Sequence, residues 1–349
     1  MTHKKLRIAV IADIMAPVPP KYYGGGERVC HTLVEGLVQR GHEVTLFASD
    51  DSNVSCSLIP FGHRRDRFPG VEFTNTTRLF GQLLRRYRDF DLVHCFGRTL
   101  YLTPLLLLKI PKIQTYMCPL NLRKLRIARA LAGDSLTFVA CSQSVAKAGN
   151  GIGRWVVIPN GISLRPYEYN PLSNGKEDYL VFLSRLHRIK GVHTAIRVAR
   201  AVGKRLIIAG NIAPSGPDLE YFRNEIKPQI DGRQIKYIGT VDDRQKNTLL
   251  GEAEALLFPI EWEEPMAVVV LEALACGLPV IAFNRGSIQE VLTHGKDGFI
   301  CSSEVEMIAA VKRLREINRA ECRKTVETRF SSDVIVGQHE RLYSDLLKC

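Results

Sequence analysis

With 349 residues, 45% of them apolar and 24% charged, the chain has the length of about two domains and the make-up of an ordinary globular protein. Disordered, collagen-like and low-complexity classes are excluded. So is a membrane-spanning helix, because the longest apolar stretch, Tyr101 to Leu108, is broken by Pro104 and falls far short of ~20 residues. The formal net charge of +12 is unevenly spread: residues 1–163 hold a net of +11 and residues 164–349 a net of +1.

In chain order, Thr2-His3-Lys4-Lys5 runs directly into an apolar strand, Leu6–Ala12. That run is too short for a signal peptide and has no small-residue cleavage site. A cytoplasmic protein is therefore expected, with the inner face of the cell membrane as a second place to find it. After Asp13 a Pro-rich loop reaches Tyr22-Tyr23-Gly24-Gly25-Gly26-Glu27, and a helix is expected over Glu27 to Gln39. Further strands read Val44–Ala48, Leu92–Cys95, Ile113–Tyr116, Leu136–Ala140 and Val156–Ile158, with a helix at Leu120 to Leu131. Fully apolar strands alternating with helices predict a parallel sheet covered on both faces.

Part of the positive charge is concentrated in His63-Arg64-Arg65-Asp66-Arg67 and in the segment Arg78 to Arg88. On a helix Leu79, Phe80, Leu83, Leu84 and Tyr87 share one face, flanked by Arg85, Arg86 and Arg88. This is either a surface helix with solvated arginines or a patch for anionic lipid headgroups or another acidic acceptor. Nucleic acid is not expected as a partner, since no aromatic-rich RNA signature or helix-turn-helix spacing accompanies the charge.

Asn160-Gly161 and the turn-rich stretch Leu164 to Lys176 mark a linker. The alternation then resumes with strands Tyr179–Leu183, Arg205–Ala209, Ile235–Ile238, Ala255–Phe258, Pro279–Ala282 and Gly298–Cys301. Helices fit at Val192–Ala201, Asp218–Ile230, Arg244–Gly251, Val268–Cys276 and Glu304–Ile317. The expected fold class is α/β, with two doubly wound Rossmann-like domains facing across a cleft. Residues 1–163 form the first, 164–176 the linker, and 177–333 the second, while a helix over 334–349 returns toward the N-terminal domain. Ligands of such sheets bind at the carboxyl ends of the strands. The nine cysteines show no CxxC spacing. Cys30, Cys95, Cys141, Cys276 and Cys301 lie in apolar-periodic segments and read as buried reduced thiols, with no metal site.

Three motifs carry chemistry. Gly24, Gly25 and Gly26 precede a helix, which lets the backbone approach a ligand and aim N–H groups at an anion. A dinucleotide fingerprint would need glycine at position 29, which is Val, and no GKS or GKT phosphate loop follows; simple turn geometry is the competing reading. In Glu261-Trp262-Glu263-Glu264-Pro265-Met266-Ala267-Val268-Val269-Val270-Leu271-Glu272, Glu272 is the only charge in an apolar helix. A buried unpaired carboxylate costs several kcal/mol, so Glu272 faces a partner, either a hydroxyl-rich ligand or an internal salt bridge. Glu264 sits in the loop at the strand's carboxyl end, facing the same cleft or in an ordinary surface salt bridge. In Ser184-Arg185-Leu186-His187-Arg188-Ile189-Lys190-Gly191, Arg185 and Lys190 follow a strand and suit a diphosphate, with Arg forking onto oxygens and Lys acting as a point charge.

Together the segments LSRLHRIKG, YIGTVDD, ALLFPIEWEEPMAVVVLEALACGLPVIAFNRGSIQEVL and VIPNGIS resemble retaining nucleotide-sugar glycosyltransferases of the GT-B fold, family 4, over essentially the whole chain. The resemblance implies that Arg185 and Lys190 bind the donor diphosphate and that Glu264 holds sugar hydroxyls beside the anomeric carbon. It further implies that Glu272 accepts from the ribose and that the amides of Val268 and Val269 meet the diphosphate. Gly24 to Gly26 would line the phosphate and acceptor side, Met266 and Ala267 the sugar pocket, and Gly239 to Val241 the base. The first domain would then serve the acceptor and the second the donor. Three positions depart from the family pattern. His94, read as the catalytic histidine or else as only a packed residue, is followed by Cys95-Phe96 rather than by a second histidine. Met266-Ala267 replace Phe-Gly, and Ser163 replaces Asp.

The implied reaction transfers a sugar from a UDP- or GDP-sugar to a hydroxyl acceptor with retention at the anomeric carbon, with no cofactor and no metal required. The acceptor is expected to be a cell-envelope glycan or glycolipid, with a soluble small molecule as the alternative, and the protein a monomer or homodimer. A nucleotide-sugar epimerase of similar shape is the competing enzyme class; it would need acid and base groups flanking C2 of the sugar.

Overall fold

A computed structural model of the protein describes residues 5–14, 16–22, 24–62, 69–171 and 179–348. The basic run 63–67 and the second part of the expected linker, 172–176, lie outside the described residues. The chain divides into two compact units, residues 1–20, 24–161 and 332–349 in the first and 21–23 and 162–331 in the second.

The first unit is built on seven parallel strands: β1 (Arg7–Ile11), β2 (Glu43–Ser49), β3 (Ser57–Gly62), β4 (Leu92–Cys95), β5 (Lys112–Tyr116), β6 (Leu136–Ala140) and β7 (Arg154–Val157). They run in the order β3-β2-β1-β4-β5-β6-β7. Every residue of β4, β5 and β6 is buried, as expected of strands covered on both faces. The sequence pattern does not show β3, whose SLIPFG alternates weakly and contains Pro60; it lies at the sheet edge, where a proline is tolerated. Helix Pro69–Arg86 buries Leu79 and Leu83 but leaves Leu84 49% exposed, so its inward stripe is narrower than the expected five-residue face.

The last helix, Ser332–Leu346, packs against helix Gly25–Gln39 within this unit. A polar network pins it. Leu6 N donates to His42 Nδ1 (3.2 Å), which leaves the His42 proton on Nε2 to donate to Glu340 Oε1 (2.9 Å). Arg40 completes an ion pair with Glu340. Deeper in, His94 is fully buried, with Nδ1 2.7 Å from Tyr343 Oη and Nε2 2.7 Å from Thr115 Oγ1. Phe96 and His339 flank its ring at 4.4 and 5.2 Å between centroids. With no exposed atom and both nitrogens engaged, His94 holds the C-terminal helix, which fits the packed-residue reading of it rather than the sugar-facing catalytic one.

The second unit repeats the architecture with six parallel strands: β8 (Tyr179–Leu183), β9 (Arg205–Ala209), β10 (Ile235–Tyr237), β11 (Ala255–Phe258), β12 (Val280–Phe283) and β13 (Gly298–Cys301). Their order is β10-β9-β8-β11-β12-β13. The expected helix Asp218–Ile230 is a short α-turn, Pro217–Tyr221, continuing through π and 3-10 turns to Gln229. Helix Arg319–Arg329 is not visible in the apolar pattern because it buries only Cys322, Thr325 and Val326, and partly buried arginines beside them make polar contacts. Arg323 donates to the carbonyls of Ala275 (2.7 Å) and Tyr167 (2.9 Å), and Arg319 to those of Gly251, Ala253 and Asn170. Such cations satisfy carbonyls left open at helix ends. In both units the strand order reverses beside the first strand, between β1 and β4 and between β8 and β11, which is where doubly wound sheets open a crevice at their carboxyl ends. Cys30, Cys95, Cys141, Cys276 and Cys301 are all buried.

The buried histidines make a pH prediction. Burial, with His339 adding, pushes His94 well below its usual 6.5, and burial holds His339 down to about 3. Both take up protons on unfolding, so stability is full above pH 6.5 and falls as pH drops below it, by about 1.4 kcal/mol per pH unit for each histidine. Replacing His339→Phe should flatten the stability profile between pH 6 and 5 by up to about 1.4 kcal/mol per pH unit, read by urea unfolding. An unchanged slope would show that His339 is already charged in the folded protein.

Candidate active site

The carboxyl ends of β8 and β11 bring together most of the residues singled out by the sequence. β8 runs out at Leu183, Arg185 follows, and a single 3-10 turn, Arg188–Lys190, delivers Lys190. From β11 the chain passes through Pro259 to Glu264. Lys190 Nζ lies 2.5 Å from Glu264 Oε2, and Trp262 Nε1 donates to the same oxygen at 2.9 Å. The ammonium also sits 5.2 Å from the Trp262 ring centroid, a cation–π distance. Lys190 and Glu264 are both 9% exposed, so this pair is buried rather than the surface bridge that was the alternative for Glu264.

Two glycines make the arrangement possible. Gly191 has φ +75°, and a Cβ there would lie 1.9 Å from the Pro259 carbonyl oxygen. Only glycine lets the β8 loop press against the β11 loop, where Glu261 N donates to Ile189 O (2.8 Å). Gly286, with φ +56°, does the same from the loop after β12: a Cβ would fall 2.4 Å from Glu264 N. Beside it Ser287 N donates to Glu264 O (3.0 Å) and Gly286 N to Glu263 Oε2 (2.7 Å). Glu264 is thus braced by three loops.

Arg185 stands at the same edge with its Nε buried and without a hydrogen-bond partner. A buried, unsatisfied guanidinium N–H is costly unless something fills its place, and a phosphate or carboxylate oxygen is the natural complement. Helix Val268–Ala275 begins at Ala267, with no side chain capping it. The first-turn amides, Val268 and Val269, have no partner within the helix, and its dipole favours an anion there. Met266 is buried, while Ala267, Val268 and Val269 are half-buried. Val241 lies beyond β10, half-buried. Gly210, just after β9, donates to Gly239 O (2.8 Å) and approaches Ser184 O so closely that a Cβ would stand 1.8 Å from it. The edge from β10 to β11 is therefore continuous.

Glu272, on the second turn of its helix, has the internal partner that burial demands: Lys246 Nζ at 2.6 Å and Tyr167 Oη at 2.7 Å, both on Oε1. Trp262, Lys246 and Tyr167 escaped the sequence reading. Lys246 sits in a polar helix segment and Tyr167 in a turn-rich stretch, and nothing in their local pattern signals a buried carboxylate 26 or 105 residues away. Gly24, Gly25 and Gly26 belong to the first unit. Gly24 caps helix Gly25–Gln39 with φ 154°, and the other two open its first turn.

Two family models match the chain in succession: Glycosyltransferase Family 4 over residues 23–165 and Glycosyl transferases group 1 over residues 168–329. Spore coat protein SA of Bacillus subtilis is 23% identical, covering 84% of this chain and 85% of its own length. N-acetyl-alpha-D-glucosaminyl L-malate synthase of Bacillus anthracis is 25% identical over 64% of this chain and 59% of its own. Among solved structures, sucrose-phosphate synthase from Thermosynechococcus elongatus superposes with a TM-score of 0.81 at 17% identity, covering 98% of this chain and 99% of that one. HepE of Anabaena in complex with UDP-glucose gives 0.76 at 17% identity, covering 97% and 99%. The chain belongs to the family 4, group 1 glycosyltransferases of the GT-B fold.

Proposed function

We propose that this glycosyltransferase moves a sugar from a nucleotide-diphosphate sugar, UDP- or GDP-linked, to a hydroxyl acceptor with retention at the anomeric carbon and without a metal ion. The observation that carries the reading is the buried Lys190–Glu264 pair beside the unsatisfied Nε of Arg185 at the β8/β11 reversal. Similarity to HepE, whose structure holds UDP-glucose, favours a uridine donor.

In this reading Arg185, Lys190 and the Val268 and Val269 amides receive the diphosphate and stabilise the negative charge that develops as it leaves. The base lies near Gly239 to Val241, the ribose at Glu272 and the sugar near Met266 and Ala267. Glu264 takes hydrogen bonds from Lys190 and Trp262 on one oxygen, which suits it to orient sugar hydroxyls and balance oxocarbenium character rather than to attack carbon. Retention through two displacements would need a carboxylate free to do so. The favoured route is same-face: the anomeric C–O bond to the diphosphate breaks, the acceptor oxygen bonds to that carbon from the same side, and its proton passes to the departing phosphate oxygen. Gly24 to Gly26 of the first unit would serve the phosphate and acceptor side. A cell-envelope glycan or glycolipid is the acceptor proposed, and a soluble small molecule is the second reading, favoured by the similarity to the L-malate synthase.

Donor binding tests the core of this. UDP, GDP, ADP and dTDP, screened in EDTA by thermal shift, should give one nucleotide that stabilises the protein, by about 2.7 kcal/mol at a hundredfold excess over Kd. Arg185→Ala should abolish the shift. No response to any nucleotide, or a response only with a divalent ion, would overturn the proposed donor site. The product's anomeric configuration, read by NMR coupling, should match the donor's. Glu264→Gln should keep nucleotide binding but lower kcat by about a hundredfold or more. An inverted product would reject the same-face route, and an epimerised donor without acceptor would make the enzyme an epimerase.

A further inference from the structure

Helix Leu122–Ala132, between β5 and β6, contains four cations and no acidic residue. It buries one side, Leu125, Ala128 and Ala132, and turns the rest outward. Among the described residues Arg123, Lys124 and Arg126 are exposed and make no ion pair, whereas Arg129 is paired with Asp134 at 2.7 Å. Interleaved with the three cations are Ile127, 52% exposed, and Leu131, 47% exposed. At 100° per residue these five side chains occupy one outward arc. The neighbouring turn Thr99–Leu105, packed against this helix, leaves Leu100 50% exposed, and Leu107 just beyond it is 78% exposed.

We propose that this face binds the surface of an anionic lipid bilayer. The inference goes beyond the donor-site reading and does not rest on it. Aliphatic side chains set among lysine and arginine on an exposed helix match an interface that offers negative headgroups and a hydrocarbon edge within a few ångströms of each other. An acidic polysaccharide or a nucleic acid would pair with the cations but leave Ile127 and Leu131 without an apolar partner. A second copy meeting the same face would set like charges against each other.

The test is co-sedimentation of the full chain with vesicles of phosphatidylcholine alone and of equal parts phosphatidylcholine and phosphatidylglycerol. Binding is expected only to the anionic vesicles and should weaken as salt is raised. The triple substitution R123Q/K124Q/R126Q should reduce the partition coefficient by about a hundredfold at low salt, since each surface cation contributes roughly tenfold or less. The double substitution I127S/L131S should weaken it further at high salt, where charge is screened. All five positions are exposed, so both variants should melt at the wild-type temperature. Equal binding to neutral vesicles, or no loss in the triple variant, would overturn the proposal. So would no effect of I127S/L131S, or retention on heparin with no vesicle binding. A nucleotide-induced thermal shift that survives any of these results leaves the donor site standing.

Discussion

A lysine and a glutamate buried together at the point where the second sheet reverses its strand order set the terms for everything around them. Removing each charge from water costs several kcal/mol, and apolar residues of equal volume are commonly neutral or more stable by about 1–4 kcal/mol. Stability does not explain why Lys190 and Glu264 are there. The surrounding structure maintains them at a cost. Gly191 and Gly286 hold backbone conformations and approaches that no other residue permits, Trp262 gives its indole N–H to the carboxylate, and three loops close on Glu264. A pair held this tightly has its geometry set by the fold, which is what the proposed electrostatic catalysis requires.

The second carboxylate shows the same economy on a helix. Met266 to Leu278 is apolar except for Glu272, and the helix is buried on nearly all sides. Lys246 meets the carboxylate and is itself held by Asp243 (3.1 Å) and the Tyr167 ring. Tyr167 in turn is fixed through its carbonyl by Arg323, which also caps the far end of the Glu272 helix at Ala275. Helix Arg319–Arg329 therefore bears on the site indirectly: its arginines fix the segment from which Tyr167 reaches Glu272.

How much of this the sequence discloses depends on whether the signal is local. Twelve of the thirteen strands stand out as short, largely apolar runs, Glu272 stands out because a charge is conspicuous in an apolar helix, and Arg185, Lys190 and Glu264 stand out because they follow strands at their carboxyl ends. β3 is hidden by its edge position. Helix Arg319–Arg329 is hidden because its buried side is only Cys322, Thr325 and Val326, flanked by arginines. The histidine at 94 reads two ways for a physical reason: a strand residue next to the sheet's carboxyl end looks like a ligand contact, and here the returning C-terminal helix covers it with Tyr343 and His339. That cover comes from about 250 residues downstream, a distance over which neither periodicity nor spacing carries information.

The charge imbalance of the first half becomes meaningful only when folding has taken its share. Its acids are largely occupied. Glu43 pairs with Lys5, Asp91 with Arg7, Asp13 and Glu72 with Arg98, and Asp134 with Arg129. One lysine goes inward without an acid: Lys112 is fully buried, its ammonium donating to the carbonyls of Leu108 (2.6 Å) and Ile110 (2.8 Å), and burial pulls it down to about 8. Among the cations that remain, Arg85, Arg86, Arg123, Lys124 and Arg126 are exposed on two helices that both border the turn at Thr99–Leu105. Like charges so placed repel one another and add nothing to the stability of the unit. Since folding neither needs nor neutralises them, the surplus is directed outward, and whatever meets the first unit from outside meets a surface whose sign is already decided.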